Sequence, residues 1–279
     1  MEEPSSAELL ERAKSGDERA LEALLERHQA QIYRYGLSMC RDPEDAKDVL
    51  QETLLALARG VREFRGESAL STWLYTVARS FCIKKRRRSK FAPEQERSLE
   101  DETEGGLQIA DVARDPEEAL VGRQVEEALE RAIQSLDPMY REVLVLRDVE
   151  GLTAPEVAEV LGLGVQAVKS RLHRARVAVR NALMPVLGVP ETTASPAAGC
   201  PDVLTLFSRH VEDEISAEVC ADMERHIAAC DRCRTACDSL KRSLALCRTA
   251  GPAVRVPDEV QAKVRRALRD FLTVNAEGI

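Results

Sequence analysis

The stretch Ala154–Arg176, APEVAEVLGLGVQAVKSRLHRAR, decides the fold. Apolar residues recur at three- and four-residue intervals on either side of Gly162, which predicts two short helices joined by a tight turn. Two helices packed at a sharp angle need a small residue where they approach, a turn residue that tolerates positive φ, and an apolar anchor in the second helix. Ala158, Gly162 and Val168 stand at those three places, and Val157, Leu161 and Leu172 complete the buried side. Thr153 is placed to cap the first helix, with Pro155 in its first turn. The second helix then presents Gln166, Lys169, Ser170, Arg171, His173, Arg174 and Arg176. Cations suited to phosphates alternate there with side chains that can read base edges, which predicts a DNA-binding helix-turn-helix over a merely solvated basic helix.

Around this motif the composition is that of helices. Alanine, leucine, glutamate and arginine dominate, and no long alternating β-branched run occurs, so the predicted fold class is all-α. Residues 1–92 read as one helical unit, with a break at Arg41-Asp42-Pro43 where Asp42 can cap a new helix. Residues 93–124 form an acidic, glycine-containing linker, and 125–187 hold the helix-turn-helix domain. A proline- and alanine-rich connection spans 188–199, followed by a cysteine-rich segment at 200–250 and an amphipathic C-terminal helix within 251–279. That last helix sets Val260, Val264, Leu268 and Phe271/Leu272 on one face.

A net charge of −8 is the wrong sign for a DNA binder, but the charge is sorted along the chain. Arg79 to Lys90 holds seven basic residues and no acidic one, while Glu94 to Glu104 is strongly acidic. Screening over about 8–10 Å makes the local cluster matter more than the sum. The N-terminus lacks a basic-then-apolar leader, and no stretch approaches the roughly 20 apolar residues of a membrane span. The expected location is the cytoplasm, with no membrane partner. Paired carboxylates lie on solvated helices, and there is neither a glycine-rich phosphate loop nor a nucleophilic triad, so no enzymatic activity is expected.

With these residues in view, a family can be named. Leu136-Asp137-Pro138 through Leu183 (LDPMYREVLVLRDVEGLTAPEVAEVLG, then VKSRLHRARVAVRNAL) resembles region four of extracytoplasmic-function (ECF) RNA polymerase sigma factors. The resemblance implies reading of the minus-35 promoter element and contact with the flap of the polymerase β subunit. Ala154-Pro155 departs from the polar pair more usual at the start of that first helix. DPEDAKDVLQET (Asp42–Thr53) is similar to region two of the same family. There Asp45, Asp48, Gln51 and Glu52 would meet the clamp of the β′ subunit, although the same face also reads as merely solvated. FRGESALSTWLYTVAR (Phe64–Arg79) resembles the minus-10 region, with Arg79, Lys84, Lys85, Arg86 and Arg87 holding phosphates. Trp73 suits base stacking or, given its apolar helix, core packing. Core RNA polymerase and promoter DNA are thus the implied partners.

The tail carries six of the eight cysteines. His226-x3-Cys230-x2-Cys233 sets two donors a helical turn apart and two thiols at metal-ligand spacing. Cys220, Cys237 and Cys247 flank them symmetrically, whereas Cys40 and Cys82 read as ordinary core residues. The candidate metal ligands are therefore Cys200, Cys220, His226, Cys230, Cys233, Cys237 and Cys247. Thiolate-rich ligation favours a thiophilic ion, zinc or cadmium, with copper also compatible. Cys200 to Leu240 resembles zinc-binding anti-sigma domains, in which Cys200, His226, Cys230 and Cys233 would be the ligands. A sigma factor with such a tail is similar to the CorE-type, metal-dependent subgroup, which implies a built-in sensor and no separate anti-sigma protein. A purely structural zinc site on a stand-alone DNA-binding regulator, and a dithiol redox switch at Cys230 and Cys233, remain alternatives.

Overall fold

The computed structural model describes residues 4–40, 42–91, 116–190, 198–250 and 254–276, with the backbone alone for 88–91, 116–121, 250 and 268–276. Most of the acidic linker, the stretch 191–197 and the side chains of Arg88, Lys90, Leu268, Phe271 and Leu272 lie outside the described residues. Among the described residues every regular element is helical and no strand occurs. None of these helices is long and apolar enough to cross a membrane.

The chain divides into two compact units, residues 1–109 with 254–279, and residues 110–253. The first holds α1 (Ser6–Lys14), α2 (Glu18–Met39), α3 (Pro43–Gly60) and α4 (Leu70–Phe91). The second holds α5 (Pro116–Ser135), α6 (Pro138–Leu144), α7 (Ala154–Leu161), α8 (Val165–Leu183), α9 (Val203–His210), α10 (Ala217–Ala229) and α11 (Asp231–Ala250). The last helix, α12 (Asp258–Ala276), returns to the first unit.

In the first unit local chemistry sets where each helix begins. Ser5 and Glu8 close a capping box on α1, Asp17 caps α2, and Asp42 caps α3 with Pro43 in its first turn. Helical spacing then lines up Leu24, Ile32, Tyr35, Val49, Leu50, Leu54, Leu57 and Leu74, all essentially buried. Burying each such leucine contributes about 1.5–3 kcal/mol. Tyr35 and Tyr75 meet edge to face at 5.5 Å. Gly36 lets α2 and α3 approach closely, since a Cβ there would lie 3.2 Å from the Ala46 backbone. α12 packs against α3, burying Val260 and Val264, and Glu259 pairs with Lys47 at 2.7 Å.

In the second unit everything is built on α8. Its apolar stripe of Val168, Leu172, Ala175, Val179 and Leu183 is buried against α5 and α6 on one side and α7 at the turn. The short α6 runs on into a wider turn at Val145–Val149 that carries Asp148 inward. On its remaining side α8 meets α9 and α11, the helices of the cysteine-rich segment.

Candidate DNA-binding helix and metal centre

The helix-turn-helix forms as its residues require. Thr153 and Glu156 cap α7 reciprocally, and Gly162 ends it in the left-handed conformation at φ 65°. Ala158 and Val168 are buried where the two helices meet. This turn aims α8 so that its polar residues share one side.

That side is already engaged by the tail. α9 ends in an acidic corner, Glu212-Asp213-Glu214, in which Asp213 takes a positive φ of 54° and turns the chain back. Glu214 accepts from Gln166 at 3.3 Å and pairs with Lys169 at 3.2 Å. Lys169 also donates to the Glu212 carbonyl at 3.1 Å, and Thr205 meets the His173 ring at 3.2 Å. Arg176 is fully buried in a double ion pair, 2.7 Å from Asp148 and 2.6 Å from Glu212, with a further hydrogen bond to Ser208. Burial opposes its charge, but the hydrogen bonds that it donates to Asp148 and Glu212, with their negative charges, outweigh burial and raise its pKa. Arg147 adds a second cation to Glu212 at 3.2 Å. Of the predicted DNA-facing residues, Gln166, Ser170 and Arg174 are exposed, and Lys169, Arg171 and His173 are half-buried. Arg174 donates to the Tyr140 hydroxyl at 3.2 Å.

In the first unit, Arg79, Lys84, Lys85, Arg86 and Arg87 all lie on α4. Lys85 ion-pairs with Asp45 at 3.2 Å and with Asp48, so two of the four predicted clamp-facing residues are paired with an internal cation, Asp45 half-buried and Asp48 still exposed. Gln51 is half-buried and Glu52 exposed on the same helix. Trp73 is half-buried and meets Phe64 edge to face at 6.1 Å. Cys40 and Cys82 are buried as expected, and their sulfurs touch at 3.4 Å.

The structure gathers four of the seven predicted metal ligands. The donor atoms of Cys200, His226, Cys230 and Cys233 lie within 4.8 Å of one another. They come from the segment before α9, the last turn of α10, its C-cap and the first turn of α11. The Cys200 and Cys230 sulfurs are 3.9 Å apart, and His226 Nε2 lies 3.2 Å from the Cys233 sulfur. Tetrahedral zinc, with bonds of about 2.3 Å to sulfur and about 2.0 Å to nitrogen, sets neighbouring donors roughly 3.6–3.8 Å apart, so these residues fit a thiophilic ion such as zinc. The backbone N–H of Cys233 lowers the Cys230 thiol, while burial pushes Cys233 up to about 12. The cluster sits on a core of Val203, Leu204, Ala236, Leu240 and Leu244, against which Val177 of α8 also packs.

Cys237 and Cys247 are placed elsewhere, buried along α11. Burial beside Asp148 pushes Cys247 up to about 12. Cys220 lies six residues before His226 on the same helix, about 9 Å along its axis and on a different face. It contacts His210 and Glu224 instead. Sequence reasoning missed Glu212 and Glu214, because charges in a polar segment look solvated until a partner helix is docked on them.

Family models match the chain in three places: Sigma-70 region 2 over residues 24–91, Sigma-70, region 4 over 126–179, and a zinc-finger family over 200–234. The RNA polymerase sigma-H factor of Pseudomonas aeruginosa is 34% identical over 186 residues, covering 64% of this chain and 94% of that protein. The ECF RNA polymerase sigma factor SigM of Mycobacterium tuberculosis is 34% identical over 181 residues, covering 65% and 86%. Among solved structures, CnrH in complex with the cytosolic domain of CnrY is similar at 25% identity and a TM-score of 0.45, over 63% of this chain and 96% of that one.

Proposed function

The chain belongs to the extracytoplasmic-function family of RNA polymerase sigma factors, and we propose that its own zinc-finger tail holds its promoter-reading helix closed under the control of bound metal. Residues 1–92 engage the β′ clamp through Asp45, Asp48, Gln51 and Glu52, and the minus-10 element through Arg79, Lys84, Lys85, Arg86 and Arg87. Residues 93–124 link them to the minus-35 reader at 125–187, which also meets the β flap. The connection at 188–199 leads to the metal-binding segment at 200–250, followed by the C-terminal helix within 251–279. Gln166, Lys169, Ser170, Arg171, His173 and Arg174 meet DNA once the tail lets go, and Arg176 works mainly as a strut. Cys200, His226, Cys230 and Cys233 hold zinc, a soft donor set that also accepts cadmium or cuprous copper. Bound metal would supply the cross-link that keeps α9, α10 and α11 folded as one piece. This is regulation of the CorE kind, in which the tail takes the place of a separate anti-sigma protein.

The observation that carries this reading is the acidic corner on α8. Glu212 and Glu214 occupy Gln166, Lys169 and Arg176 as phosphates would, and a cation paired this way is not available to DNA. The test is a full-length Glu212→Ala/Glu214→Ala variant beside a chain lacking residues 200–279. Both are expected to bind duplex DNA about tenfold more tightly than the parent, with a steeper salt dependence by one to two phosphate contacts. The truncated chain should lose any response to metal in transcription with core polymerase. DNA affinity equal to that of the parent in both variants, with metal-dependent transcription intact after truncation, would sink the reading.

A further inference from the structure

Cys40 and Cys82 are the two cysteines outside the tail, and neither the metal cluster nor the promoter contacts make use of them. We propose that they form a reversible disulfide, a redox switch that ties the end of α2 to α4 when the chain meets a hydroperoxide. The bond itself rests on geometry; its effect on transcription rests on the promoter contacts proposed above.

The two residues are 42 positions apart along the chain, yet their sulfurs stand 3.4 Å from each other. Cys40 is the C-cap of α2, its N–H donating to the Gly36 carbonyl at 2.7 Å, and Cys82 sits within α4. A disulfide brings its sulfurs to about 2.05 Å, so the pair has to close by roughly 1.4 Å. Apolar packing explains the burial of each thiol singly, but it does not require the two sulfurs to face one another.

The two thiols are not equivalent. In the reduced pair the Cys40 thiol donates to the Cys82 sulfur. When Cys40 ionises the bond reverses. The Cys82 S–H, helped by Arg86 and Lys85, then holds the Cys40 thiol below its ordinary value against burial and Asp45. Cys40 is therefore the thiolate that attacks, and Cys82 the thiol that resolves.

The Cys40 sulfur takes one oxygen of hydrogen peroxide, the O–O bond breaks, and the released hydroxide takes up the proton that Cys40 gave up. Cys82 then attacks the Cys40 sulfenic acid. The S–S bond forms, the S–O bond breaks, and the hydroxyl leaves with the Cys82 proton as a second water. Two thiols lose two electrons in all, and one peroxide is reduced to two waters. Glutathione or another small thiol returns the pair to its reduced state by exchange.

The location gives the bond something to control. It closes a loop that contains all of α3, and Cys82 lies between Arg79 and Lys84 on the helix of the proposed minus-10 contacts. Leu74, Tyr75 and Ala78 fix the first half of α4 in a close-packed core, so the sulfurs close by shifting its second half. That half carries Lys84 and Lys85, and Lys85 is the partner of Asp45 and Asp48. Oxidation therefore stiffens the first unit, displaces its phosphate-holding cations and lowers transcription.

The test treats the full chain, loaded with zinc to protect the cluster thiols, with hydrogen peroxide. Trypsin should then release residues 35–41 joined to 80–84, about 2 Da lighter than the two peptides together, and dithiothreitol should part them. The melting transition of the first unit should rise by about 5 °C or more. Cys82→Ser should yield no joined peptide and leave Cys40 as a sulfenic acid that dimedone captures. Transcription with core polymerase should fall several-fold on oxidation of the parent and stay level in Cys40→Ser. Oxidation of the half-exposed Cys220 without the joined peptide overturns the pair. A joined peptide with transcription unchanged overturns the switch. A reduced parent that directs no transcription faults the promoter contacts instead, and the peptide and melting results still decide whether the bond forms.

Discussion

Arg176 is the residue at which two roles meet. Its position on α8 marks it as a phosphate-binding cation, yet its side chain is fully buried between Asp148 and Glu212. A buried cation between two carboxylates is stable only while the set is complete, because removing the central charge leaves two like charges facing each other out of water. Arg176→Ala is therefore expected to cost about 3–5 kcal/mol in urea unfolding of the full chain. Glu212→Ala is milder, about 1–3 kcal/mol, since Arg176 keeps both bonds to Asp148. Equal losses in the two variants would show that Asp148 does not sustain Arg176 once the Glu212 carboxylate is gone.

At the scale of elements, the turn between α7 and α8 shows how much was legible in advance. Thr153, Ala158, Gly162 and Val168 each have a local reason to be where they are, and all four behave accordingly. Gly162 has a left-handed φ with no atom within 4 Å of where a Cβ would sit, so Gly162→Ala pays only for conformation. A loss of about 1–2 kcal/mol is expected from thermal melts, with DNA-binding geometry retained. No loss would mean that the turn relaxes to a right-handed cap. The candidate metal ligands were legible to the extent that they share a short motif or a family resemblance. His226, Cys230 and Cys233 share one turn-and-helix junction, and Cys200, which the resemblance to anti-sigma domains joins to them, stands beside them in the structure. Cys220, Cys237 and Cys247 look symmetric along the chain, but Cys220 falls on a different face of α10 from His226, and Cys237 and Cys247 lie about 6 and 21 Å beyond Cys233 along α11, so linear symmetry does not survive the helices. The acidic corner was not legible at all. Nothing in Glu212-Asp213-Glu214 names α8 as its partner, because long-range ion pairing is a property of the packed fold and leaves no periodic mark.

At the scale of the whole molecule, the two units carry separate physical controls, and each can be addressed without the other. In the first unit, His28 of α2 is buried, with Nδ1 against Gln31 and no partner at Nε2. Burial, helped by Arg27, pulls its pKa down from 6.5 to about 4. The unfolded chain then binds a proton that the folded chain refuses, so His28 contributes full stability above about pH 6.5 and loses it as pH falls toward 4. The loss is on the order of 3 kcal/mol. His28→Leu should flatten that part of the acid-unfolding profile, and an unchanged slope would assign the proton to another group. On the proposed reading, the second unit answers to metal instead. Its cluster joins three helices whose shared apolar core also includes Val177 of α8, so thiol ligation and docking on α8 are mechanically continuous. Structural zinc supplies up to about 10–16 kcal/mol in isolated finger peptides, but here the core of Leu204, Leu240 and Leu244 remains without it. Chelation at neutral pH should therefore weaken this unit without unfolding it. In calorimetry of the full chain, one transition is expected to fall by about 10 °C or more while the transition lost on acidification stays in place. Both transitions falling together would mean that the metal holds the two units as one cooperative body, and neither moving would mean that the four donors take no ion.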